Sequence, residues 1–194
     1  MKNLPTLLAA TPLRKVARTT LAAATIATTA LTTGCIFERQ TNTLDSLPVG
    51  APMPEFSVSN PDGTIVTDAD LRGHRTVVAL FRTTCPDCSR EMPNVEEAFR
   101  RTSTSTGTAN NLDVRFVAIS KEDNAAETVP AYWEATGMTM PWFLDPAGAA
   151  FESFGVAYVP TLYLFGTDGK VAYVAVETFD FSADELVTLI ENLQ

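Results

Sequence analysis

The chain has 194 residues, of which 45% are hydrophobic, and its 23 acidic against 14 basic side chains give a formal net charge of −9. That acidic balance argues against a nucleic-acid-binding surface and against electrostatic adhesion to anionic lipid, since both need clustered positive charge. With three cysteines and one histidine, the ligands for a tetrahedral zinc site are scarce.

Residues 1–34 read as an export signal: Lys2, Arg14, Lys15 and Arg18 precede the apolar, threonine-rich stretch Leu21 to Leu31, with no acidic residue before Cys35. The stretch is too short and too rich in Thr for a membrane-spanning helix, which needs about 20 mostly apolar residues. It ends in Leu31-Thr32-Thr33-Gly34-Cys35, similar to the lipobox of bacterial lipoproteins, where the cysteine is lipidated and becomes the first mature residue. The lipobox usually has Leu three places before the cysteine; here that residue is Thr32 and Leu31 stands one place early. Ordinary signal cleavage near Ala30, leaving Cys35 a stray thiol, is the alternative. Either places the domain outside the cytoplasm. Removal of 1–34 leaves 160 residues with a formal charge of −13, enough for one domain with its own core.

Residues 35–49 lack periodicity and read as a flexible tether, so the folded domain is expected to span 50–194. Phe56 to Ser59 alternates as a strand, Asn60-Pro61-Asp62-Gly63 is a turn, and Thr64 to Val66 returns as a hairpin partner. Asp68 to Arg72 makes a short helical turn closed by Gly73, and the β-branched run Thr76 to Phe81 is a buried strand. Ser89 to Arg101 has helical spacing of Met92, Val95, Ala98 and Phe99, followed by a polar linker over 102–108. Val114 to Ile119 is the next strand, Ala125 to Thr136 a helix, Pro141 to Leu144 a short strand and Ala147 to Phe154 a helix. Thr161 to Phe165 and Val171 to Val176 form a hairpin around Asp168-Gly169. The last helix runs from Ser182, its N-cap, with Glu185 at the capping-box position, to Leu193. Strands alternating with helices and ending in a hairpin predict an α/β domain, a mixed central sheet with helices on both faces.

Between the strand at 76–81 and the helix that follows lies Cys85-Pro86-Asp87-Cys88. Two thiols at this spacing can cycle between dithiol and disulfide. At the helix entrance, unpaired N–H groups and the helix dipole favour a thiolate on Cys85, the expected nucleophile, while Cys88, one turn further in, is the resolving thiol. Zinc would need two more ligands, and only Cys35 and His74 are on offer, without suitable spacing. A permanent structural disulfide is the other alternative.

Gly50 to Phe56, the Asp62-Gly63 turn, Asp70 to Gly73, the Cys-x-x-Cys with Glu91-Met92-Pro93, Tyr158-Val159-Pro160-Thr161 and Asp168-Gly169-Lys170 together resemble the thioredoxin superfamily, in its extracytoplasmic, membrane-tethered TlpA/ResA-like branch. The resemblance covers Gly50 to the C-terminus. It implies a thioredoxin fold with an N-terminal β-hairpin extension and an inserted helix, and a helix kinked at Pro93. It also implies a cis Pro160 lying against the sulfurs, with Val159 and Thr161 presented to substrate. By spacing alone Pro160 is equally ordinary punctuation before a strand. The chain departs from thioredoxins in having Phe81 and Thr84 where tryptophans are usual and Ala79 at the position of the buried acid. In the ResA-like branch a glutamate after the central strand can serve the buried thiol, and Glu122 matches it; a solvated acid at a helix start is the alternative.

The resemblance implies an extracytoplasmic thiol-disulfide oxidoreductase that needs no cofactor beyond its own disulfide. It would reduce exported cysteine proteins, such as apocytochrome c, with electrons from a membrane donor, and be held to the membrane by lipid on Cys35. Asp87 opposes thiolate formation whereas Arg82 and the helix terminus favour it, so direction is not fixed by the residues. A redoxin-type peroxidase is the enzyme alternative, although Arg82 stands where peroxiredoxins have Thr or Ser. A copper-delivering protein would need a wider cysteine spacing and a histidine after His74, and a lipoprotein with a merely structural disulfide completes the set.

Overall fold

The apolar, β-branched run at the centre of the chain becomes the middle of a sheet because it has no polar face to offer solvent. In the computed structural model, which describes residues 46–103 and 112–194, the elements are β1 (Ser57–Ser59), β2 (Ile65–Thr67), α1 (Asp68–Leu71), β3 (Arg75–Phe81), α2 (Pro86–Ser103), β4 (Val114–Ser120), α3 (Ala125–Thr136), β5 (Trp142–Leu144), α4 (Ala149–Ser153), β6 (Thr161–Phe165), β7 (Val171–Val176) and α5 (Ala183–Glu191). They form one seven-stranded mixed sheet ordered β2-β1-β5-β4-β3-β6-β7. β3 pairs parallel with β4 and antiparallel with β6. The predicted signal, Cys35, most of the tether and most of the polar linker at 102–108 lie outside the described residues. Among the described residues no helix is long and apolar enough to cross a membrane.

Alternate residues of β3 face opposite cores. Val77, Ala79 and Phe81 pack with Met92 and Val95 of α2, Val129 and Trp133 of α3, and Leu186 and Ile190 of α5. Val78 and Leu80 pack on the other face with Met53, Phe56, Leu71, Phe151 and Phe154. Fully burying side chains of this size stabilises by about 1.5–3 kcal/mol each, so the sheet is clamped from both sides. The capping box read at the last helix is present: Ser182 Oγ accepts from the Glu185 N–H and the Glu185 carboxylate accepts from the Ser182 N–H.

Several element ends shift by a residue or two from the sequence expectation, and three differences bear on the packing. α2 starts at Pro86 and carries Cys88, as expected of a helix entered at Cys85, but it runs on through Pro93 to Ser103 and so takes in the first residues expected of the linker. The helix expected over 147–154 is confined to Ala149–Ser153, because Gly148 takes a left-handed φ of 76° ahead of it. Packing also begins before Gly50: the Leu47 N–H donates to Tyr163 Oη at 3.0 Å, and Tyr163 Oη donates to the Phe154 carbonyl at 2.8 Å. The buried Tyr163 thus ties residues at the end of the expected tether to the sheet.

Candidate active site

The sheet register assembles the site. Phe81, the last residue of β3, pairs with Ser120, the last of β4, so the segments leaving both strands, Arg82 to Cys85 and Lys121 to Glu122, emerge side by side. Antiparallel pairing of Leu80 with Thr161 brings the start of β6, and the loop ahead of it, to the same end.

Cys85 sits just before α2, with its carbonyl accepting from the Ser89 N–H at 3.1 Å and its own N–H donating to the Arg82 carbonyl at 3.3 Å. It is partly exposed, and Cys88 is fully buried; both are free thiols. The Cys88 N–H donates to Cys85 Sγ at 3.2 Å, and Cys85 Sγ donates to the Val159 carbonyl at 3.4 Å. An N–H aimed at a sulfur stabilises charge there. Burial pushes the Cys88 thiol well above the ordinary range, and its contact with Cys85 adds to the rise; the Arg82 main chain opposes it. Asp87 is paired with Arg90 at 2.9 Å on the exposed side of α2.

The Val159–Pro160 peptide bond is cis, as the resemblance implied. Pro160 is buried, and its carbonyl accepts from the Glu177 N–H at 2.7 Å. Val159 is half-buried beside Cys85. Thr161 differs: it is 1% exposed and its hydroxyl donates to the Tyr158 carbonyl at 2.7 Å. Its side chain therefore closes the loop around the cis bond and offers no hydroxyl to a substrate.

Glu122 is held over the other flank of the site. Its carboxylate accepts from the Thr83 N–H at 3.2 Å, the Thr83 hydroxyl at 2.8 Å and the Ser120 hydroxyl at 2.9 Å. Its hydrogen bonds among the described residues reach neither sulfur; they brace the segment that leads into Cys85.

Two further groups stand on the helices that carry and cover the sulfurs. Glu91, which the sequence marks only as part of the motif with Met92 and Pro93, lies one turn beyond Cys88 on α2, 5% exposed, with Arg90 Nε donating to it at 3.0 Å. Tyr132, on α3, which no motif marks, lies with its ring tilted against Phe81 and Trp133, and its buried hydroxyl makes no hydrogen bond among the described residues. Burial raises its pKa, while the Ser89 hydroxyl, near it but outside hydrogen-bond geometry, opposes the rise. No cluster of three metal-ligating side chains occurs among the described residues.

A half-exposed thiol at a helix entrance, a buried partner one turn on and a cis-proline loop beside them, all at one end of a mixed sheet, define a thiol-disulfide oxidoreductase of the thioredoxin fold. The chain belongs to the Redoxin family, whose model matches residues 48–189. It is 26% identical over 130 residues to the thiol-disulfide oxidoreductase ResA of Geobacillus thermodenitrificans, covering 67% of this chain and 70% of that protein. To the thiol:disulfide interchange protein CycY of Rhizobium leguminosarum bv. viciae it is 29% identical over 111 residues, covering 57% and 54%. A solved thiol:disulfide interchange protein of the thioredoxin family from Chlorobium tepidum shares the fold, with a TM-score of 0.60 at 23% identity over 73% of this chain and 94% of that one.

Proposed function

We propose that this oxidoreductase acts outside the cytoplasm, anchored by lipid on Cys35, and reduces disulfides of exported proteins, apocytochrome c among them. The observation that supports it most is the asymmetry of the two sulfurs: Cys85 is reachable and accepts a main-chain N–H, and Cys88 is sealed beneath it. The Cys85 thiolate attacks one sulfur of a substrate disulfide, forming a mixed disulfide and releasing the other substrate thiolate. Cys88 then loses its proton and attacks Cys85 Sγ, which forms the Cys85–Cys88 disulfide and frees the second substrate thiol. Two electrons have passed from the dithiol to the substrate, so no external cofactor takes part, and a dithiol donor at the membrane must return them.

In this reading Val159 offers its main chain to an extended substrate segment, Pro160 keeps a longer side chain away from the sulfurs, and Thr161 holds the loop. Glu122 acts as a positioning residue through Thr83 rather than by direct contact with Cys88. The test is the reduction potential of the Cys85/Cys88 pair in dithiothreitol or glutathione buffers. A value near that of thioredoxin, about −270 mV, supports a reductant, and one near about −120 mV makes the protein an oxidant.

A further inference from the structure

We infer that the groove beside Cys85 selects disulfides that carry an acidic side chain next to the reacting cysteine. The inference rests on the exchange chemistry proposed above and names a substrate class for it. One wall of a groove of about 410 Å³ is formed by Val156 to Val159; Arg82, Lys121 and Phe151 form the other. Val159 is the residue whose carbonyl meets Cys85 Sγ, so whatever lies along the groove lies beside the reactive thiol.

The charge pattern is specific to this place. Nine lysines and arginines fall among the described residues. Seven are engaged: Arg72 with Asp68, Arg90 with Asp87 and Glu91, Arg100 with Glu96, Arg101 with Glu97 and Asp184, Arg115 with Asp113, Lys170 with Asp168, and Arg75 with the Leu193 carbonyl. Arg82 and Lys121 have no ion-pair partner among the described residues, and both line the groove. In a chain of net charge −9, two unpaired cations converging on one concavity create a local positive field that attracts an anionic side chain.

Lys121 is also placed there by packing. Its ammonium lies 5.9 Å from the centre of the Phe151 ring, and its chain occupies space at Gly148 where a Cβ would come within 2.5 Å of Nζ. The carboxylates nearby are Glu122 and Asp123, which line the adjoining hollow with Arg82 and Lys121. The Glu122 carboxylate accepts from Thr83 and Ser120, and neither Glu122 nor Asp123 lines the groove beside Val159. Tyr158, 48% exposed, supplies an aromatic surface for the rest of the substrate segment.

The test uses three synthetic peptides, each closed by one disulfide and differing only in Asp, Asn or Lys beside the cysteine, with dithiothreitol as electron source. The expected order of kcat/KM is Asp, Asn, Lys, with about fivefold between the extremes, in keeping with two partly exposed charge contacts. That ratio shrinks toward one in high salt, where exposed charges are screened. Arg82→Gln with Lys121→Gln brings it to about one at low salt. Arg82→Lys, which keeps the charge, and Lys170→Gln, which lowers net charge at a distant hairpin, both retain it. Equal rates for the Asp and Lys peptides, or a ratio that survives the double substitution, overturns the inference. Failure to reduce any of the three peptides would instead overturn the exchange reading itself.

Discussion

The Cys88 N–H points at Cys85 Sγ across 3.2 Å while the Cys88 thiol itself has no exposure to solvent. One residue of the pair thus stabilises charge on the other sulfur and hides its own, so the two thiols have different chemistry although only two residues separate them.

The consequence for trapping is direct. Cys88→Ser should accumulate mixed disulfides with exported proteins, because attack by Cys85 survives and resolution is lost; Cys85→Ser should accumulate none. In the reduced native protein, iodoacetamide should modify Cys85 at least tenfold faster than Cys88, as exposure and thiolate access require. Equal trapping by both variants on non-reducing gels would refute the assigned order.

Stability of the reduced protein should depend on Cys88 at alkaline pH. Burial keeps this thiol protonated in the folded chain above its ordinary value of 9.0, whereas the unfolded chain releases the proton there. The unfolded state then binds fewer protons than the folded one, so stability falls as pH rises from about 9, by at most about 1.4 kcal/mol per pH unit. Urea titrations at pH 8, 9 and 10 should show this slope in the parent and its loss in Cys88→Ala.

Glu122→Gln exchanges one acceptor oxygen for an NH₂ group where three protein donors converge. It should cost about 1–3 kcal/mol of stability and slow disulfide reduction severalfold, with an unshifted pH–rate profile, since the role assigned is positioning. A shifted profile with unaltered stability would identify Glu122 as the proton acceptor for Cys88.

Tyr132→Phe removes a buried hydroxyl that has no acceptor among the described residues. Its denaturation midpoint should stay the same or rise, by up to about 1 kcal/mol equivalent, because no hydrogen bond is lost and an unmet polar group is removed. A clear loss of stability would show that the hydroxyl is satisfied in solution.

Membrane attachment should require Cys35. Lipidation with two or more acyl chains gives stable anchoring where one chain is marginal. Cys35→Ala should leave the membrane fraction or be misprocessed while keeping disulfide reductase activity, and quantitative retention of correctly processed protein would refute the anchor.

Local order in this protein is set by the sequence itself. The run Thr76 to Phe81, the Ser182/Glu185 capping box and the Asp168-Gly169 turn determine a buried strand, a helix start and a hairpin, because each depends on side-chain periodicity or a backbone preference within a few residues. The Cys85–Cys88 pair is legible for the same reason, its two thiols being neighbours on one helical turn. What surrounds those sulfurs is decided by tertiary structure. Val159 reaches Cys85 across 74 positions only because β3 and β6 pair with Leu80 opposite Thr161. Glu122 meets Thr83, and Lys121 shares a groove with Arg82, because β3 and β4 end in register at Phe81 and Ser120. No local pattern encodes such a register; it follows from which apolar faces the whole sheet buries, since a one-residue slip would turn every side chain of a strand to the other core.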